Sequence, residues 1–86
     1  MNKYITDGCR SVTAENMSDA ASEFANRIAR KTFGKTAYAR TCNRSSWNSD
    51  NTVGGYDAFI GYTPTGKHNL STTVGKNIMF HVYRVG

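Results

Sequence analysis

The stretch Asn16-Met17-Ser18-Asp19-Ala20-Ala21-Ser22-Glu23-Phe24-Ala25-Asn26-Arg27-Ile28-Ala29-Arg30-Lys31-Thr32 decides how the rest of the chain is read. Its apolar residues, Met17, Ala20, Ala21, Phe24, Ala25, Ile28 and Ala29, recur every three or four positions, the spacing of one buried stripe on an α-helix. Asp19, Ser22, Glu23, Asn26, Arg27, Arg30 and Lys31 fill the other side. Asn16 or Ser18 can cap the free amides at the start, and Gly34 suits a left-handed residue just past the end. Acids come early and bases late, as the helix dipole favours. A stripe this rich in alanine lets the helix lie close against a sheet. The spacing therefore predicts one helix, from Asn16 or Ser18 to Thr32, packed on strands.

Working outward, the flanking sequence supplies those strands. Ser11 to Ala14 leads into the helix, and Lys3 to Thr6 reads as an earlier strand, with Asp7-Gly8 as a tight-hairpin signal between them. A single bent strand from Lys3 to Ala14 is the alternative. After Gly34, Lys35 to Cys42 sets Ala37, Ala39 and Thr41 against Thr36, Tyr38 and Arg40. Tyr56 to Tyr62 places Tyr56, Ala58, Ile60 and Tyr62 on one face and Asp57, Phe59 and Gly61 on the other. Asn77 to Val85 alternates Ile78, Phe80 and Val82 with Met79, His81 and Tyr83. Two polar stretches rich in turn formers, Asn43 to Gly55 and Thr63 to Lys76, read as long connections.

These elements assemble into an α+β fold of one domain, residues 1–86. It is a two-layer sandwich in which an antiparallel sheet of four or five strands carries one helix on one face, in the order β(β)αβββ. If Ile78, Phe80 and Val82 meet the helix, then Met79, His81 and Tyr83 point away, with Phe59 and either Tyr38 or the Ala37–Ala39 set. That second face is either an open binding platform or a surface plugged by a long loop carrying Trp47.

Size and composition narrow the function. At 86 residues the chain holds a single small core, and its one leucine, Leu70, leaves that core to aromatics, Val, Ile and Ala. A multi-domain enzyme, a repeat array and a coiled coil are excluded. The net charge is +5 and unevenly placed. Up to Glu23, Lys3 and Arg10 face four acids, whereas from Phe24 onward nine bases face only Asp50 and Asp57. Such a surface either confers solubility or speeds encounter with acidic partners. Cys9 and Cys42 lack a CxxC spacing and read as reduced, small buried hydrophobes in a cytosolic protein. No stretch reads as a signal peptide or a membrane span.

No constellation points to catalysis, so the expectation is a protein that is not an enzyme and needs no cofactor, metal or small-molecule substrate. His68 and His81 have no metal-ligand spacing, and Glu15, Asp19 and Glu23 lie at helical spacing on a solvated face. Thr65-Gly66-Lys67 lacks the earlier glycine and the following helix of a phosphate loop. Binding is better supported. Arg27, Arg30, Lys31 and Lys35 sit near the helix end, and Arg40 and Arg44 follow, interleaved with Tyr38 and Trp47. Guanidinium groups beside rings suit both nucleic-acid contacts and protein hot spots. Arg27, Lys31, Arg40, Arg44 and Trp47 are the candidate partner-binding residues.

Val12-Thr13-Ala14, then Ser18, Ala21 and Ala25, and finally Thr72-Thr73-Val74-Gly75 followed by Phe80-His81-Val82, carry a resemblance. Over Ser11 to Gly86 the chain resembles small phage-encoded anti-CRISPR proteins directed at type I systems, type I-E in particular. It departs from them in the four residues between Gly75 and Phe80, in its middle segment, and in charge, because many such inhibitors are acidic mimics of DNA. The resemblance implies a non-catalytic inhibitor acting in the cytoplasm of an infected bacterium. Its partners would be subunits of a type I surveillance complex, with guide RNA or DNA as an additional contact. A small basic nucleic-acid-binding module is the rival reading.

Overall fold

A computed structural model describes residues 1–62 and 74–86. The elements are β1 (Asn2–Ile5), β2 (Val12–Ala14), α1 (Met17–Phe33), β3 (Tyr38–Trp47), β4 (Val53–Tyr62) and β5 (Val74–Arg84). They form one helix against a five-stranded antiparallel sheet of order β2-β1-β5-β4-β3, the expected α+β architecture. The expected positions Thr65, Gly66, Lys67, His68, Leu70, Thr72 and Thr73, and most of the expected connection from Thr63 to Lys76, lie outside the described residues.

The helix starts where an amide acceptor is available. Asn16 sits in extended backbone, and its side-chain oxygen accepts the Asp19 amide at 2.9 Å. The helix ends at Gly34, whose φ of 102° is awkward for any side chain and whose N–H donates to Arg30 O at 2.8 Å. Met17, Ala20, Ala21, Phe24, Ala25 and Ala29 are buried along the predicted stripe. Phe24, Tyr56, Ile60 and Val82 are the largest fully buried side chains and join the two layers. The inward faces of β4 and β5 are those that the alternation predicts.

β1 and β2 do pair, with Tyr4 opposite Val12, so two strands form rather than one bent strand. Their connection spans residues 6–11 and is longer than a two-residue turn. Gly8 takes its positive φ of 78°, and buried Thr6 donates its hydroxyl to His81 O, which ties the connection to β5.

The middle of the chain corrects the sequence reading. The expected connection over 43–55 is mostly strand: β3 runs on to Trp47, β4 already begins at Val53, and only 48–52 turn. Val74, Gly75 and Lys76, read as the end of a second connection, belong to β5. β3 also begins later than Lys35. Two physical reasons hide β3. It is an edge strand exposed over most of its length, so polar residues are tolerated on it, and register shifts at 39/41 and 44/46 break its period of two.

The Tyr56 hydroxyl is fully buried and has no hydrogen-bond partner among the described residues. A buried hydroxyl without a partner is destabilising by about 1–3 kcal/mol. Tyr56→Phe keeps the ring and removes that penalty, so its urea midpoint should rise by the equivalent of about 1 kcal/mol. An unchanged or lower midpoint would show that the hydroxyl is satisfied in solution.

Candidate functional site

Residues paired across antiparallel strands share a face, so the register identifies what the side without the helix displays. Ile5 pairs with Tyr83, Val53 with Tyr83, Gly55 with His81, Asp57 with Met79 and Phe59 with Asn77. Thr41, Asn43 and Ser46 extend these rows on β3. Met79 is 71% exposed, and Ile5 and Tyr83 are also exposed. Among the described residues no element covers this face. Met79, His81, Tyr83 and Phe59 stand where the alternation of β4 and β5 puts them, and Tyr38, paired with Gly61, is on the same side.

The two bulges of β3 redistribute its side chains. At the first, Arg40 turns onto the open face, with its guanidinium carbon 4.2 Å from the centre of the Phe59 ring. Ala39 and Cys42, three residues apart, then both face the helix side and pack against the buried clusters. Burial first, and the Asp57 charge second, push the Cys42 thiol upward and keep it protonated at neutral pH. At the second bulge, Arg44 and Trp47 come to lie on the same side, three residues apart. The Arg44 guanidinium carbon sits 4.4 Å from the Trp47 ring centre, and its terminal nitrogen donates to Asn51 Oδ1 at 2.5 Å.

The β3–β4 turn beneath that pair is internally braced. The Asn48 side chain accepts from the amides of Thr52 and Val53, and Asn51 has φ of 60°. Asp50 accepts the Thr52 hydroxyl at 2.7 Å and the Thr52 amide at 3.3 Å. These bonds, the hydroxyl first, hold the Asp50 carboxyl below its ordinary value. The turn thus presents Trp47, 62% exposed, on an ordered base. Trp47 does not plug the open face; its partner position, Gly54, lies on the helix side near Met17.

The five candidate residues do not form one patch. Arg40, Arg44 and Trp47 share the exposed edge strand but lie on its two faces. Arg27 and Lys31 are elsewhere, clasping the β1–β2 connection. Arg27 pairs with Glu23 at 3.1 Å and donates to Arg10 O at 3.0 Å, while Lys31 donates to Gly8 O at 3.3 Å. Both therefore hold the β1–β2 connection from the helix. Sequence reading did not place Ile5, Ser45, Ser46 and Gly55 on the open face. Only the register across β1, β5, β4 and β3 brings them there.

Among the described residues no three His, Cys, Asp or Glu side chains gather as they would around a metal ion. No helix among them is long and apolar enough to cross a membrane. The chain matches no family model, and neither a curated protein nor a solved structure gives a significant match to it.

Proposed function

We propose that this protein is a non-catalytic inhibitor: a phage-encoded anti-CRISPR protein that occupies a type I surveillance complex in the cytoplasm of the infected host. There it blocks target-DNA binding or nuclease recruitment stoichiometrically. The observation that carries the docking part is the open sheet face, on which Ile5, Met79 and Tyr83 are exposed, with Met79 diagonal to the Arg40–Phe59 pair and Ile5 and Tyr83 toward the other end of the strands. Apolar side chains grouped on one rimmed face are the usual mark of an interaction surface. Around the β3 edge, on its helix side, Arg44 and Trp47 add two of the residue types that dominate binding energy in protein interfaces. The identity of the partner rests on the resemblance of the strand–helix segment and the C-terminal segment.

A net charge of +5 sets the manner of binding. The protein does not imitate a polyphosphate; it meets acidic surface on the complex, and its charges speed the encounter while the rings anchor it. Pull-down of purified type I surveillance complexes, followed by a target-DNA gel shift, tests the reading. Co-purification with loss of the shifted band is expected, and failure to co-purify with any subtype would end it.

The Arg40–Phe59 pair also favours a second reading, since a guanidinium beside a ring suits a phosphate and a stacked base. Salt separates the two. Binding carried by phosphate contacts falls as a steep power of salt concentration, whereas a packed protein interface responds much less.

A further inference from the structure

The two edges of the sheet are guarded unequally. β2 closes one edge with three residues, whereas β3 forms the other with ten. Hydrogen bonds at the ends of the ladder fix which way the β3 backbone points. Asn48 N–H donates to Val53 O at 3.1 Å, so Val53 faces β3, while Arg84 N–H donates to Thr52 O at 2.8 Å, so Thr52 faces β5. Successive β4 residues then alternate, and Gly54, Tyr56, Ala58 and Ile60 face β5. Their β3 partners, Trp47, Arg44, Cys42 and Ala39, turn their own N–H and C=O groups away from β4 to the outside. Ala39 bears this out, because its N–H donates outward to Asn26 Oδ1 on α1 at 2.9 Å. The helix thus covers the start of the edge. Among the described residues no strand or side chain accepts from the N–H groups of Cys42, Arg44 and Trp47.

We infer that the β3 edge receives an extended, acid-bearing segment of the partner protein, which adds one more strand to the sheet. Cys42 and Arg44 lie on the run between the two bulges and repeat at the two-residue interval at which an added strand bonds. A polypeptide supplies both donors and acceptors to match them, whereas a phosphodiester chain supplies no donor. Charge selects the segment. β3 carries Arg40 and Arg44 and no acid. Arg44 stands in the helix-side row, where one guanidinium nitrogen donates to Asn51 and the others are left to an incoming carboxylate. Asp57, the one acid on β4, stands on the open face beside Asn43, so the acids of the incoming strand belong in the helix-side row. A second copy of this chain fits poorly. Pairing outward residues with outward residues sets Cys42 against Arg44 of that copy and brings both Arg44 side chains diagonally together on one face, where like charges repel. The inference deepens the proposed docking role by naming how the partner is held, and it rests on that reading for the partner being a protein.

The test uses the free full-length chain and a blocked peptide of alternating glutamate and threonine, long enough to span β3, with amide hydrogen exchange read by NMR. At saturating peptide the outward amides of Cys42 and Arg44 should exchange roughly tenfold more slowly, while those of Thr41 and Asn43, already directed at β4, change little. A peptide of alternating lysine and threonine should bind roughly tenfold more weakly. Arg44→Thr keeps the amide and loses the charge, and it should weaken binding of the glutamate peptide roughly three- to tenfold. Arg44→Pro also removes an outward N–H, a change that edge strands tolerate, and it should abolish the protection at Cys42. If the proline variant fails to fold, the threonine variant and the alternating pattern of protection still decide the matter. Protection confined to the open face at Met79 and Tyr83, unchanged exchange at Cys42 and Arg44, or equal binding of both peptides would overturn the inference. So would stronger protection of the same amides by single-stranded oligonucleotide, or a dimer of the free chain that protects them. Because no surveillance complex takes part, an edge that takes the peptide while every complex fails to bind counts against the inhibitor reading alone. Capture of a complex that leaves the Cys42 and Arg44 amides open counts against the edge alone.

Discussion

Trp47→Ala combined with Arg44→Ala is expected to abolish capture of the surveillance complex while leaving the thermal transition almost in place. Trp47 is 62% exposed and contributes little buried area to the core. Its stacking with Arg44 is an exposed cation–π pair, worth about 0.5–1 kcal/mol of stability. In an interface the same ring, once desolvated, is the kind of anchor whose truncation costs about 2–4 kcal/mol, or roughly 30- to 1,000-fold in affinity. Calorimetric titration against the purified complex and a melting curve on the free variant measure the two quantities separately. Wild-type affinity in the double variant would remove the β3 edge from the docking surface. A collapse of the melting temperature would make the pair structural instead.

Phe24→Ala should do the reverse. Phe24 is fully buried in the cluster with Tyr4, Met17, Ala20, Ala21, Tyr56 and Val82, at the seam between helix and sheet. Cutting a buried phenylalanine to alanine costs about 3–5 kcal/mol, because the lost contacts leave a cavity that the layers fill only in part. A domain of this length has about 4–13 kcal/mol in total. The melting temperature should therefore fall by roughly 15–30 °C, and a good part of the protein should be unfolded at physiological temperature. A fall of only a few degrees would mean that the helix is not seated on Tyr56 and Val82 as described.

These two experiments sit on opposite sides of what was readable in advance. Phe24 belongs to a pattern of local origin. A helix buries one stripe, the stripe repeats at three and four positions, and Asn16 and Gly34 mark its ends with side-chain and backbone chemistry confined to a few residues. β4 and β5 were legible for the same reason: Tyr56, Ala58 and Ile60 alternate with Asp57 and Phe59, and Ile78, Phe80 and Val82 alternate with Met79 and His81. In both strands one face is buried, so the alternation survives in the residue types.

β3 was only partly legible because neither condition holds along it. Polar residues from Thr41 to Ser46 are stable there through backbone pairing with β4, and a paired backbone leaves no mark on side-chain type at an exposed edge. Each bulge then shifts the period. Arg44 and Trp47, three apart, end on one side, and Ser45 and Ser46, adjacent, both approach Gly55. Arg27 and Lys31 match Arg40 and Arg44 in residue type, yet their hydrogen bonds run to Arg10 O and Gly8 O of a connection distant in sequence, a relation that residue type does not carry.

The sequence alone determined that one helix and several strands make a single small α+β domain, which faces of β4 and β5 meet the helix, and that the surface carries excess positive charge. Those properties follow from local periodicity, capping and composition, and each can be read within a short window. Only the tertiary structure decided the strand order, the length of β3, and the meeting of Ser45, Ser46 and His81 over Gly55. Pairing register is a relation between distant segments, and moving a strand by a single residue would send every one of those side chains to the opposite face.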